Sequence, residues 1–293
     1  MKTAGIEYDS AGNGPPVVCL HGIGGGIESF RRQLDDAALP QLAEYRRGER
    51  PRTADAPFRE LPVRGQPQVG LQGFRVVAWN MPGYGMSETS DWPPDFGSLS
   101  RSLGRFLAEA RLEPAHLVGH SIGGMLALEH ALRRPEQVAT MVLVGTTPSF
   151  GGRDPSFTEA FLKARLELLE RGTGMAGMAR VAAPTLVGPD ASPEAITEIE
   201  TIMAAVPEAT WRGILECLVT FNRRNDLGRV RQRCCLIAGA HDRNAPPRTM
   251  ERMSAKLVRA EYHLIASAGH MINQEAPTST NMIIGGFLRR STS

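Results

Sequence analysis

The sequence predicts an α/β fold, in which a doubly wound, mostly parallel central sheet is flanked by helices and a helical cap is inserted after the sixth strand. Short, nearly continuous apolar runs rich in β-branched residues are typical of strands that are buried on both faces. Between these runs, apolar residues recur at the three- and four-residue spacings of helices that pack on a sheet. Because strands and helices alternate, we expect right-handed crossovers and a ligand site at the carboxyl ends of the strands.

The individual strands and helices follow from these patterns in chain order. The sheet is predicted to begin within residues 1–8. Buried strands are predicted for the apolar runs at 16–20, 75–79, 116–118, 141–144 and 234–238, and a further strand at 262–265. Helices are predicted at 99–112 and 125–134, where the apolar residues share one face.

The chain is predicted to divide into a core, formed by residues 1–147 and 229–293, and a cap formed by residues 148–228. The cap follows the strand at 141–144 and carries helical patterns at 157–171, 193–206 and 210–225. A second insertion, at about 46–72, is rich in arginine and proline and has no hydrophobic period. We therefore predict that this insertion is an extended surface loop.

The composition is that of a globular protein with balanced charge. The 33 basic side chains nearly offset the 31 acidic ones, and the formal net charge is +2, so neither nucleic acid nor a membrane surface is expected as a partner. The cysteines show neither metal-ligand spacing nor a secreted disulfide pattern, and residues 1–8 lack the apolar core of a signal peptide. We expect a cytoplasmic protein without a metal or a cofactor, and the sequence leaves open whether it forms a homo-oligomer.

The most informative segment is Gly119-His120-Ser121-Ile122-Gly123, which lies between an apolar run and a helical pattern. A serine at a sharp turn from strand to helix needs small neighbours, because a Cβ would obstruct the reversal of the chain. The turn exposes the hydroxyl and aims it along the first N–H groups of the helix. Ser121 is therefore the candidate nucleophile.

A glycine-rich loop, residues 21–26, follows the apolar run at 16–20 and can bring backbone N–H groups close to a substrate. We expect the N–H of Ile23, or of Gly24 if the loop is shifted, to pair with the N–H of Ile122 as an oxyanion hole. A phosphate-binding loop is the alternative. However, the glycines match neither the pattern G-x-x-x-x-G-K-[ST] nor the pattern G-x-G-x-x-G.

A nucleophilic serine needs a base, and the base needs an acceptor that holds its tautomer. Asp242 follows the predicted strand at 234–238, and His270 follows the one at 262–265. Both side chains should thus lie at the same edge of the sheet as Ser121. We predict a catalytic triad of Ser121, His270 and Asp242.

These motifs together resemble the α/β-hydrolase superfamily, and more narrowly its cap-bearing esterases, lactonases and carbon–carbon bond hydrolases. The similarity extends over nearly the whole chain and includes the segment 80–87, Asn-Met-Pro-Gly-Tyr-Gly-Met-Ser. Asn80 departs from the pattern, since many relatives carry aspartate there. The resemblance implies the α/β-hydrolase fold and the Ser, Asp, His order that this chain has.

The resemblance also implies a function, which is hydrolysis of a small-molecule carboxylic ester or lactone through an acyl-enzyme. Two alternatives stay open: cleavage of a carbon–carbon bond in a dienoic ring-fission product, and a ligand-binding receptor that keeps the fold without rapid turnover. Arg223 is interpreted either as a clamp for a substrate carboxylate or as half of a salt bridge. The candidate substrate contacts are Gly24, Phe150, Trp211 and Arg223.

Overall fold

A computed structural model of the protein describes residues 1–39, 70–89, 91–150, 155–170 and 174–292. The strands in these ranges are β1 (Lys2–Thr3), β2 (Ile6–Ala11), β3 (Pro16–Leu20), β4 (Arg75–Trp79), β5 (Ala115–His120), β6 (Val138–Val144), β7 (Arg233–Gly239) and β8 (Ala260–Ile265). They form one sheet in the order β1-β2-β4-β3-β5-β6-β7-β8. β1 pairs antiparallel with β2, and β2 with β4, whereas every other pair is parallel. The predicted fold class is confirmed.

Helices cover both faces of this sheet. In the described ranges they are α1 (Arg31–Ala38), α2 (Phe96–Glu109), α3 (Ile122–Arg133), α4 (Pro155–Glu170), α5 (Gly174–Leu186), α6 (Pro193–Ala204), α7 (Glu208–Leu218), α8 (Pro247–Ser254), α9 (Ile272–Glu275) and α10 (Pro277–Thr292). Alternate residues of β3 face two apolar clusters: Val18 and Leu20 join the one that includes α2 and α3, while Val17 and Cys19 join the one that includes α1 and α10. Burial on both faces accounts for the continuous apolar runs.

The strand order places the candidate site. From β3 the chain crosses to β4 on one side, then returns to β5 on the other side of β3. The loops that leave the carboxyl ends of β3 and β5 are therefore neighbours at the point where the winding reverses, which is where open α/β sheets bind ligands.

The helical insertion after β6 is also confirmed, since α4–α7 lie between β6 and β7. Its two ends pair with each other: the N–H of Phe150 donates to the carbonyl of Phe221 over 2.8 Å, and the N–H of Arg223 to that of Pro148 over 2.8 Å. The sequence did not predict α5, because this helix begins at a glycine and contains Pro184. Both residues have low helix propensity.

Two further points concern the predicted loop insertion and the length of the helices. The predicted loop insertion at 46–72 lies outside the described residues except for residues 70–72. In the part of the chain that the structure describes, no helix is both long enough and apolar enough to cross a membrane.

Position 123, in the first turn of α3, requires glycine. A Cβ on Gly123 would lie 2.0 Å from the carbonyl oxygen of Leu20. We expect Gly123→Ala to lower the free energy of unfolding by about 3 kcal/mol or more, because the backbone must shift to relieve the overlap. A matched control is Gly228→Ala, since nothing lies within 4 Å of that Cβ. Urea denaturation measures both variants, and equal midpoints would contradict the prediction.

Candidate active site

Ser121 lies at the turn between β5 and α3 with φ 54° and ψ −120°. A non-glycine residue with positive φ is uncommon and costly, so the surrounding bonds must hold it. The Ser121 N–H donates to the carbonyl of Val144 over 3.0 Å, and the Thr146 hydroxyl donates to the Ser121 carbonyl over 2.7 Å. These partners are the last residue of β6 and a residue of the loop that follows it. The elbow is thus anchored to the neighbouring strand, and the Ser121 hydroxyl is left for His270.

The structure brings the three predicted triad residues together. The Nε2 of His270 lies 3.2 Å from the Ser121 hydroxyl, and its Nδ1 lies 2.9 Å from Oδ2 of Asp242. Because an ionised carboxylate can only accept, the imidazole proton is assigned to Nδ1. The Nε2 lone pair then faces the serine hydroxyl and can receive its proton.

Asp242 is held as a carboxylate by its surroundings. Its Oδ1 accepts from the N–H groups of Asn244 and Ala245, over 2.8 and 2.9 Å. Burial by itself raises the pKa of Asp242, but His270 and these two N–H donors outweigh burial and hold the pKa below its usual value. An ionised acceptor is therefore in place next to the imidazole at neutral pH.

His21 orients the loop that carries the predicted oxyanion donor. The N–H of Met81 donates to Nε2 of His21 over 2.9 Å, so the ring proton is on Nδ1, which lies 2.8 Å from the carbonyl of Gly22. Burial lowers the pKa of His21 to about 4, so the ring stays neutral. The Gly22 carbonyl and the Ile23 N–H belong to one planar peptide. This bond therefore fixes the direction of the Ile23 N–H.

The two predicted oxyanion donors are free to bind a ligand. Among the described residues, no hydrogen-bond acceptor engages the N–H of Ile23 or of Ile122. The Tyr84 hydroxyl donates to the carbonyl of Ile23 over 2.7 Å, a positioning contact that sequence reasoning missed. Above the loop lies the cap: a Cβ on Gly24 would be 2.8 Å from Cγ of Met203. Met203 of α6 thus covers the loop.

The loop that carries His270 is tied to the elbow and to the cap. Nε2 of His120 donates to the carbonyl of His270 over 2.8 Å. Burial, together with the nearby His270, lowers the pKa of His120 to about 3, so this ring is neutral. The N–H of His270 in turn donates to the carbonyl of Leu186, at the end of α5, over 2.6 Å. The His270 loop is therefore held from both sides.

Glu275 strengthens the same junction. Its carboxylate accepts from the N–H of Gly269 over 2.9 Å and from the N–H of Gly188 over 2.6 Å. Gly269 comes just before His270 and Gly188 just after α5, so Glu275 joins the His270 loop to the cap. Sequence reasoning missed it, and its place five residues after His270 was the available signal.

The other predicted contacts are spread over the cap and its ends. Phe150 packs on Phe161, with ring centroids 4.7 Å apart, and Trp211 is 3% exposed within the apolar cluster on the cap side. The guanidinium of Arg223 donates twice to Glu129 of α3. Burial raises the pKa of Glu129, but hydrogen bonds from Arg223 and a second arginine bring it below its usual value. Arg223 therefore has the salt-bridge arrangement that the sequence left open.

A group of metal-ligand types also appears away from the triad. Cys235, Glu261 and His263 lie on adjacent strands with their ligand atoms within 4.8 Å of one another. Sequence spacing could not reveal a set that forms across two strands. Arg290 donates to both carboxylate oxygens of Glu261, over 2.8 and 3.0 Å, and His263 lies 3.1 Å from one of them. The carboxylate is thus already engaged by protein groups.

The fold and this arrangement define an α/β-hydrolase. The chain belongs to the α/β hydrolase fold family, which it matches over residues 15–277.

Individual relatives are distant. Pimeloyl-[acyl-carrier protein] methyl ester esterase of Nitrosospira multiformis is 28% identical over 68% of this chain and 79% of the relative. 2-Hydroxy-6-oxo-6-phenylhexa-2,4-dienoate hydrolase of Comamonas testosteroni is 28% identical over 48% of this chain and 39% of the relative. The solved enol-lactonase of Burkholderia xenovorans LB400 superimposes with a TM-score of 0.76 at 18% identity, covering 97% of this chain and 96% of that chain. The last similarity concerns the fold alone.

Proposed function

We propose that this chain is a serine hydrolase that cleaves a small-molecule carboxylic ester or lactone through an acyl-enzyme. The observation that carries the proposal is the continuous hydrogen-bonded chain from Ser121 through His270 to Asp242. A serine hydroxyl is a weak nucleophile at neutral pH, and an imidazole held by a carboxylate is the base that activates it. In this mechanism the side chains of Ser121, His270 and Asp242 supply the nucleophile, the base and the group that orients the base.

In the proposed reaction, Nε2 of His270 takes the hydroxyl proton as Oγ of Ser121 attacks the carbonyl carbon. The negative charge that develops on the carbonyl oxygen is bound by the N–H groups of Ile23 and Ile122, and Asp242 stabilises the imidazolium. His270 then gives the proton to the leaving oxygen as the carbon–oxygen bond breaks. Water repeats the same steps, which releases the acid and restores the serine.

The cap is proposed to form the roof of the substrate pocket. Met203 already covers Gly24 beside the oxyanion loop, and Phe150 lies where the chain leaves β6 for the cap. Trp211 stays a predicted contact. Closing a site in this way excludes water and strengthens the oxyanion interactions.

A fluorophosphonate probe tests the proposal without knowledge of the substrate. The intact protein is expected to be labelled at Ser121, because an activated serine oxygen displaces fluoride from phosphorus. His270→Ala should slow the labelling at least 100-fold, since the base is lost. Mass spectrometry of the labelled peptides gives the site. Absence of labelling, or labelling that is unaffected in His270→Ala, would refute the proposed mechanism.

A carbon–carbon bond hydrolase that uses the same three residues is the second candidate, and the similarity to a dienoate hydrolase favours it. The two candidates differ in their substrates' spectra. A dienoic ring-fission product loses a visible chromophore when it is cleaved, whereas an ester or lactone releases acid without that change. A stable label on Ser121 with no turnover of either class would favour the receptor alternative.

A further inference from the structure

Arg165 of α4 is a cation on the inward face of a cap helix. Phe161 and Leu169 lie one helical turn before and after it, and so share its face. Leu169 is 5% exposed within the apolar cluster on the cap side, and Phe161 packs against that cluster. The outward face carries the ion pair between Lys163 and Glu167. Arg165 therefore shares the face of α4 that packs against the rest of the protein.

No acid balances this charge among the described residues. The Arg165 guanidinium lies 3.7 Å from the centre of the Phe161 ring, and no described residue forms an ion pair or hydrogen bond with it. Other arginines at the cap differ, since Arg223 pairs with Glu129 and Arg180 with Glu200. Burial lowers the pKa of Arg165, yet an arginine stays charged at neutral pH. Buried charges are usually paired, so a partly buried arginine to which no described residue supplies a counter-ion is a candidate for binding an anion.

Two ring contacts and a short stretch of the chain connect Arg165 with the candidate active site. Phe161 packs edge-to-face against Phe150, with ring centroids 4.7 Å apart. Phe150 lies four residues after Thr146, whose hydroxyl donates to the carbonyl of Ser121. Four residues of chain span at most about 14 Å. An anion beside Arg165 could thus belong to the same molecule as a carbonyl beside Ser121.

We propose that Arg165 binds a carboxylate of the substrate, remote from the bond that is cleaved, and so selects anionic esters or lactones over neutral ones. This inference rests on the proposed function. The planar guanidinium can hold a carboxylate at its edge through two parallel hydrogen bonds while its flat face keeps the contact with the Phe161 ring. The aromatic residues between Arg165 and Ser121 would contact the apolar part of the substrate.

Two esters of matched length test the inference: phenyl hydrogen adipate, which ends in a carboxylate, and phenyl hexanoate, which ends in a methyl group. Phenol release gives kcat and KM. We expect Arg165→Met to lower kcat/KM for the adipate at least 10-fold, mainly through KM, and to change that for the hexanoate less than twofold. Arg180→Met, which removes an exposed cap arginine, should leave both values unchanged.

Protection of Ser121 provides a second measurement that needs no turnover. Free adipate should slow fluorophosphonate labelling of the wild type and of Arg180→Met, but not of Arg165→Met. Equal losses for both esters in Arg165→Met, or equal protection in all three proteins, would overturn the inference. If the wild type is labelled and hydrolyses the hexanoate, either of these outcomes refutes only the role of Arg165 and leaves the proposed function standing. If Ser121 is not labelled at all, the proposed function fails and this inference fails with it.

Discussion

Replacing Ser121 with alanine is expected to reduce the hydrolysis of p-nitrophenyl acetate to the background rate, a loss of about 10⁶-fold in kcat. Alanine removes the oxygen that forms the acyl-enzyme but leaves His270 and the oxyanion donors in place. The Ser121 side chain makes no capping bond to α3, and alanine is no bulkier than serine at this positive φ. We therefore expect the urea midpoint of the variant to stay close to that of the wild type.

Ser254→Ala is the control for Ser121→Ala, because Ser254 lies at the end of α8 and its hydroxyl donates to the carbonyl of Glu251. This variant should retain full activity. Hydrolysis by Ser121→Ala at more than a hundredth of the wild-type rate would show that another group is the nucleophile. Partial labelling of the purified wild type separates the enzyme from a contaminating esterase, because the activity must fall in proportion to the fraction of Ser121 that is labelled.

The strands could be predicted from the sequence because burial on both faces leaves a local signature. The predicted strands at 16–20 and 75–79 coincide with β3 and β4, and the predicted strand at 116–118 is the centre of β5. The helix ends were less accurate, and the pattern at 210–225 extends beyond α7, which ends at Leu218. The end of α7 depends on how its last residues pack against the core, which the helical period alone does not encode.

The proximity of the three candidate triad residues was predictable because each follows a strand, and the carboxyl ends of parallel strands meet at one edge. Their mutual hydrogen bonds match that prediction, while their catalytic roles stay predictions. The contacts of Tyr84, Glu275 and Arg223 were not predictable in this way. They depend on distances between segments that are far apart in the chain, such as the 94 residues that separate Arg223 from Glu129.

The unpaired state of Arg165 was beyond the sequence for the same reason. A cation in a helical pattern is usually solvated, and Arg223 was the arginine that the sequence offered either as a clamp for a substrate carboxylate or as half of a salt bridge. The structure assigns Arg223 to Glu129 and leaves Arg165 on Phe161. Which arginine is available to a ligand is decided by the positions of the acids, and those positions are set by the tertiary fold.

Replacing Asp242 with asparagine is expected to lower kcat by about 10⁴-fold while the site keeps its shape. The asparagine oxygen can still accept from the N–H groups of Asn244 and Ala245. Its NH₂ group then faces Nδ1 of His270, which must become an acceptor, so the imidazole proton moves to Nε2. A protonated Nε2 points its N–H at the Ser121 hydroxyl and cannot take the hydroxyl proton.

The change of tautomer in Asp242→Asn should affect fluorophosphonate labelling as well as hydrolysis. Labelling of Ser121 by the fluorophosphonate should slow by a factor similar to the loss in kcat, because both reactions need the same base. Asp36→Asn is the matched control: Asp36 also accepts a backbone N–H, from Leu71, but it lies in α1. That variant should lose stability and keep its kcat. If Asp242→Asn retained a tenth of the wild-type kcat, the carboxylate would be structural and His270 would be held in its working tautomer by another group.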